Sequence, residues 1–153
     1  MTEPKDPEIH SADVPQEDNL GDVRRTVEAI AAGLEDTQRI AEKTGRSKRH
    51  AGYAINAAVV LGWIELGEDK LLVLPAAQKL FAQKAGSDGE RAVLRESIEQ
   101  SPILRALCPA LLAPAEPTKD QLSASIQALS GLSKSTADRR AQALLSWRRQ
   151  VVG

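Results

Sequence analysis

The sequence has little of the cysteine and histidine on which many metal and catalytic sites depend. One cysteine, Cys108, and two histidines, His10 and His50, occur among 153 residues. A single cysteine excludes an internal disulfide and any zinc site built from several cysteines. We interpret Cys108, which stands between Leu107 and Pro109, as a small core residue and not as a nucleophile.

Sequence motifs of common catalytic sites are also missing. There is no Gly-x-x-x-x-Gly-Lys loop for phosphates, no His-Glu-x-x-His metal motif and no Gly-x-Ser-x-Gly nucleophile turn. No motif implies a cofactor or a metal. We therefore expect that the protein is not an enzyme.

Long apolar runs are absent as well. No stretch of about 18 apolar residues could span a membrane, and the N-terminus lacks a basic flank followed by an apolar run. We expect no contact with a membrane and no signal peptide. The expected location is the cytoplasm, in association with the nucleoid if the protein binds DNA.

Aromatic residues are few, yet apolar residues are plentiful. Hydrophobic residues make up 42% of the sequence, which is enough for a core in one domain or two small ones. That core must consist mostly of Leu, Ile, Val and Ala, which favours helices. The four aromatic residues are Tyr53, Trp63, Phe81 and Trp147.

Charge is divided unevenly along the chain. Residues 1–22 contain seven acidic residues and one basic residue, whereas the remaining 131 contain 19 basic and 14 acidic residues. The first part also has three prolines and no apolar periodicity, so we predict an acidic, disordered tail over residues 1–21. A mildly basic body remains, although the net charge of the whole chain is only −1.

The first half of the body has the element order of a winged helix. Apolar spacing predicts a helix over residues 22–34, a short helix from an Asp36 cap to Gly45, and a third helix from a Ser47 cap. Two short strand-like runs, 63–66 and 71–74, then flank the turn-rich loop 67–70. A further helix over 75–86 completes a winged helix-turn-helix domain at residues 22–86.

The second half predicts more helices and no wing. Residues 87–112 read as connecting helices broken near Pro102, followed by a proline-bearing linker. Thr118 and Gln121 have capping-box spacing at the start of a helix that Gly131 ends. We predict a second, wingless helix-turn-helix unit over residues 113–153, so that the fold class is mainly α with one small β-hairpin.

A shift of 86 residues aligns the two glycine turns and the helices after them. It pairs Ile40 with Ile126, Gly45 with Gly131, Ser47 with Ser133, Lys48 with Lys134, Ala51 with Ala137 and Ala57 with Ala143. The matches fall on caps, turns and inward positions, where helix-turn-helix geometry restricts residue choice. We interpret them as an internal repeat.

The stretch "LSKSTADRRAQALLSW" resembles the end of bacterial tandem winged-helix modules that accompany restriction endonucleases and other defence or DNA-processing genes. The stretch "GRSKRHAGYAINAAVVLGWIEL" is similar to their first recognition helix and wing. The resemblance covers roughly residues 22–153. It implies DNA binding, and with it a role in transcription regulation or in a defence system, without naming a target.

A recognition helix places its N-terminal half near base edges while flanking cations contact phosphates. In the first unit the residues expected to be exposed and to bind double-stranded DNA are Arg46, Lys48, Arg49, Tyr53 and Asn56. Arg can read guanine and Asn can read adenine. We expect the wing loop, with Glu68 and Asp69, to contribute little.

In the second unit the corresponding residues are Lys134, Ser135, Arg139 and Gln142, with Arg148 and Arg149 expected beyond the helix. Arg140 aligns with the inward Ala54, so we assign it a structural or phosphate-binding role. Winged helices also bind proteins, so a protein-binding adaptor subunit remains the alternative, with a protein partner or a homodimer in place of DNA.

Overall fold

The computed structural model describes residues 9–34 and 36–152. Within these ranges the protein is mainly helical, with a small two-stranded antiparallel sheet. The helices are α1 (Leu20–Ala31), α2 (Thr37–Thr44), α3 (Lys48–Val60), α4 (Ala76–Phe81), α5 (Asp88–Gln100), α6 (Pro102–Leu107), α7 (Lys119–Ser130) and α8 (Lys134–Val152), and the strands are β1 (Ile64–Leu66) and β2 (Leu71–Val73).

Helices α1, α2 and α3 pack against one another, and the hairpin follows directly from α3. The Asp36 side chain caps α2, which ends at Gly45 in the left-handed region (φ 71°), and the Ser47 side chain caps α3. In the hairpin Ile64 pairs with Val73 and Leu66 with Leu71. The architecture is compatible with a winged-helix-like fold.

The connecting region differs in part from the prediction. The helix predicted over 75–86 extends only over Ala76–Phe81, so the prediction is wrong for its second half. Ser87 caps α5 as expected, but the Glu90 carboxylate bonds Gly86 N–H and the buried Arg24 guanidinium instead of closing a capping box. Arg24 thereby ties α1 to the start of α5.

Helices α7 and α8 form the second pair. Thr118 and Gln121 make a complete capping box, and α7 ends at Gly131 with φ 74°. Helix α8 continues to Val152, so the expectation that Arg148 and Arg149 lie beyond the helix is wrong. Its inner face is continuous because Leu144, Trp147 and Val151 remain at helical spacing and are all buried.

The residues matched at the 86-residue shift occupy corresponding places. Ile40 and Ile126 are fully buried before their turns, and Ala51 and Ala137 are fully buried after them. Both turn glycines adopt a left-handed conformation, which a residue with a Cβ adopts only at a cost. The spacing of the repeat therefore corresponds to two helix pairs of similar local geometry.

Residues 9–19 do not behave as the predicted disordered tail. We call this segment the strap. Ile9, Val14 and Pro15 are buried, and a 3₁₀ turn at Ser11–Asp13 contacts α3. Burial of these side chains and hydrogen bonds to α8 offset the ordering entropy, which local composition alone could not indicate. Residues 1–8 of the predicted tail lie outside the described residues.

Candidate nucleic-acid interface

The strap crosses between α3 and α8 and is held by the side chains of α8. Trp147 Nε1 donates to Glu17 O at 2.8 Å, and Ser146 Oγ donates to Asp18 O at 3.0 Å. Gln150 both donates to Asp18 O and accepts from the Leu20 N–H. The strap thus joins the first helical repeat to the second through polar contacts that are largely shielded from water.

A cleft of about 780 Å³ opens where the strap, α3 and α8 meet. Each repeat contributes the N-terminal half of its second helix, so the two predicted recognition helices border the same space. The lining residues are Gln16, Glu17 and Asp18 from the strap, Arg46, Arg49, His50 and Tyr53 from the α3 region, and Thr136, Arg139 and Arg140 from α8.

Arg46 is not the exposed cation that the sequence predicts. Its side chain is only 19% exposed, and its Nη1 lies 2.9 Å from the buried Glu17 carboxylate and 3.1 Å from that of Asp22. The expectation of exposure is therefore wrong, because the acidic strap returns to cover this residue. Two carboxylates balance the Arg46 charge locally, so little of it is available to an anion.

Arg49 is exposed on the first turn of α3. Its Nε donates to the Tyr53 hydroxyl, and its guanidinium carbon lies 5.6 Å from the centroid of the Tyr53 ring. The Tyr53 ring also meets the His50 ring edge to face at 5.8 Å. These contacts order the side chain without neutralising its charge, since neither partner is an anion.

Arg139 is the corresponding exposed cation of α8. Its Nη2 donates to Thr136 Oγ1 at a long 3.4 Å, and none of its described contacts is a carboxylate. At the 86-residue shift it matches Tyr53, and Thr136 matches His50, so equivalent positions of the repeat face one cleft. That correspondence was available in the sequence and could have identified Thr136 and His50 as site residues, which our prediction omitted.

Arg140 has the structural role that its alignment with Ala54 indicates. Its guanidinium donates to the carbonyls of Ser11 and Val14, which fixes the strap to α8. Burial lowers the pKa of this guanidinium from its usual value, and the charge of neighbouring Arg139 lowers it further. Because arginine stays protonated in proteins, Arg140 still contributes a positive charge at the edge of the cleft.

The remaining predicted site residues do not join the cleft. Lys134 is exposed and forms an ion pair with Asp138 at 2.9 Å, a hydrogen bond that raises the pKa of the lysine. Asn56 lies in a separate groove between α3 and the hairpin. The exposed residues Lys48, Ser135, Gln142 and Arg149 also lie outside the cleft lining.

Arg148 is placed in the protein interior. It is 8% exposed, and its Nη1 donates to the carbonyls of Leu111 and Ala113 at 2.8 and 2.7 Å. Its predicted role as a DNA contact conflicts with this placement, since reaching a phosphate would break both hydrogen bonds. Arg148 instead anchors the linker before α7 to the second half of α8.

No protein-family model, curated protein or solved structure matches this chain. Among the described residues no group of three or more His, Cys, Asp or Glu side chains is placed to hold a metal ion. Within the same ranges no helix has both the length and the apolar character needed to cross a membrane.

Proposed function

We propose that this protein binds double-stranded DNA through the N-terminal halves of α3 and α8, and that it does so without catalysing a reaction. The observation that carries the proposal is the single cleft bordered by both helices, with exposed Arg49 on one and exposed Arg139 on the other. Guanidinium groups bind phosphate oxygens through planar, charge-assisted hydrogen bonds.

In this proposal α2–α3 and α7–α8 are two helix-turn-helix units, and the β1–β2 hairpin is the wing of the first. The glycine turns and buried alanines that the two pairs share support this interpretation. The resemblance seen in the sequence implies a regulator, or the DNA-recognition component of a defence or DNA-processing system. We adopt that setting as part of the proposal.

The hairpin favours a second candidate function, a protein-binding adaptor. Leu66 is 57% exposed and Leu72 is 38% exposed, and the acidic residues Glu65, Glu68 and Asp69 surround them. This wing would repel phosphate, whereas it could contact an apolar and basic protein surface. In the adaptor, α3 and α8 would then meet an acidic partner.

Binding of a labelled duplex of random sequence, measured by anisotropy over a salt series, tests the proposal. We expect log Kd to rise with log salt by about 0.9 per phosphate contact. Replacing both Arg49 and Arg139 with Ala should lower this slope by about two and weaken binding at low salt.

Arg95→Ala is the matched control for lost charge. Arg95 is exposed on α5, where it pairs with Glu99 at 3.1 Å, and it does not line the cleft. It should leave the affinity nearly unchanged. Equal binding of the Arg49/Arg139 double variant and the parent protein would refute the assignment to α3 and α8, and binding that is absent at low salt would favour the adaptor.

A further inference from the structure

We propose that the cleft is one composite phosphate site, in which α3 and α8 hold the same phosphate group. This inference rests on the proposed DNA binding and deepens it, because two independent reading units would become one clamp on a nucleic-acid backbone. Four observations support it, namely the size of the cleft, its available cations, its hydrogen-bond donors and the position of its acidic residues.

The size of the cleft sets how far apart the bound groups can be. A volume of 780 Å³ equals that of a cube about 9 Å on a side, whereas helices that read successive major grooves are about 34 Å apart. The cleft-facing parts of α3 and α8 are therefore too close to occupy successive grooves. A space of this size admits one phosphate with its neighbouring sugars, within the range of ligand pockets.

The available charge comes from two of the four arginines in the lining. Arg46 is balanced by the Glu17 and Asp22 carboxylates, and Arg140 donates to two strap carbonyls. The described hydrogen bonds of Arg49 and Arg139 go only to hydroxyl oxygens. One cation from each helix is thus left to neutralise an anion.

The hydroxyl groups of the lining have protons to donate. Tyr53 accepts from Arg49, and Thr136 accepts from Ser133 at 3.1 Å as well as from Arg139. Because neither hydroxyl has a described acceptor, each retains its own proton for a ligand oxygen. The arginines and these hydroxyls together form a donor set, which suits phosphate oxygens and offers nothing to a cation.

His50 can add a further donor. Its Nδ1 lies 2.7 Å from Ser47 Oγ, which also accepts from the His50 backbone N–H. In the neutral tautomer that receives the Ser47 proton at Nδ1, the Nε2 atom carries a proton. All three α3 side chains at this part of the lining then match an anion.

Acidic residues orient the ligand within the cleft. Glu17 is 2% exposed and paired with Arg46, so it carries little net charge toward the opening. Asp18 is exposed on the strap and would repel a phosphate placed beside it. The favourable position is therefore the end of the cleft that Arg49 and Arg139 border.

A double-mutant cycle on duplex binding tests whether the site is shared. Arg49→Ala and Arg139→Ala should each weaken binding about tenfold, as expected for loss of one charge-assisted hydrogen-bond donor. In a composite site the double variant should be little worse than either single variant, because one arginine cannot hold the phosphate alone. Multiplied losses, near a hundredfold, would show two independent contacts and overturn the composite site while leaving DNA binding intact.

Inorganic phosphate provides the second arm. In ¹H–¹⁵N spectra of the full chain at constant ionic strength, phosphate should shift amide signals in both α3 and α8, and each single arginine variant should abolish the shifts. Arg95→Ala should retain them. Shifts confined to one helix, or kept in the variants, would contradict joint binding.

The two arms separate the possible sources of the phosphate and the two proposals. A 5′-phosphorylated duplex that binds better than the unphosphorylated duplex would assign the site to strand ends, and equal binding to internal phosphates. Phosphate shifts without DNA binding would refute the proposed function but keep the site, as a site for a free phosphate compound. Absence of both would refute both.

Discussion

Arg46→Ala measures how firmly the strap is held to the body. The substitution leaves the Glu17 carboxylate, which is 2% exposed, without the cation at 2.9 Å. Removing one partner of a buried ion pair costs about 3 to 5 kcal/mol, mainly because the other charge stays buried and unpaired. Sequence alone predicted an exposed Arg46 and hence almost no loss of stability.

We expect a loss at the lower end of this range, about 3 kcal/mol. Two features limit it: Glu17 keeps the hydrogen bond from Asn19 N–H at 3.2 Å, and Asp22 keeps its ion pair with Arg25. For a domain of this size 1 kcal/mol corresponds to about 2–4 °C in Tm. The melting temperature should therefore fall by about 6–12 °C.

Urea unfolding and thermal melts of the parent and variants provide the measurement. Arg49→Ala is the control for an exposed arginine and should change the free energy of unfolding by less than about 0.5 kcal/mol. Glu17→Gln in the Arg46→Ala background removes the unpaired charge and should recover part of the loss. A loss below about 1 kcal/mol for Arg46→Ala, or no recovery with Glu17→Gln, would show that the strap carboxylate is not confined as described.

Two further predictions concern the wing and the second helix pair. Replacing residues 67–70, all of which are exposed, with a neutral two-residue turn should change duplex affinity by less than about threefold in the anisotropy assay; a larger loss would place the wing on DNA. Hydrogen bonds from Ser123 and Lys134 lower the pKa of Asp138 below 3.8, so its stabilising effect is present above that pH and disappears as pH falls through the lowered pKa. Asp138→Asn should therefore flatten the pH dependence of the urea midpoint below about pH 4, and an unchanged profile would contradict the assignment.

Local features of the fold could be predicted from sequence because their partners are a few residues away. The caps at Asp36, Ser47 and Thr118 and the left-handed turns at Gly45 and Gly131 all occur where expected. Each depends on interactions within about four residues. The hairpin was predictable for the same reason, since its strands are joined by a short loop.

The features that could not be predicted depend on distant partners. The strap is ordered by contacts to α8 about 130 residues later, such as Arg140 with Ser11 and Trp147 with Glu17. A composition window over residues 1–21 contains none of these partners. The same contacts removed Arg46 from the candidate site, because its carboxylate partner lies in the segment predicted to be disordered.

The position of Arg148 had a signal that our prediction missed. It follows Leu144 by four residues on a helix whose apolar positions continue to Val151. Extending the period of α8 through Trp147 would have placed Arg148 at the inner face. For the cleft itself, Arg49 and Arg139 were predicted from helix position, but their meeting in one space required the packing of the two repeats.

The strap also gives the order in which the protein can complete its structure during synthesis. Residues 11–18 leave the ribosome early, whereas Arg140, Ser146, Trp147 and Gln150, which hold them, are among the last to be made. Closing a loop of this length is entropically costly and slow compared with forming adjacent helices. A nascent chain therefore has α1 to α3 before it has a cleft. Ligand binding becomes available only after translation has passed α8, so an incomplete chain cannot occupy the target of the finished protein.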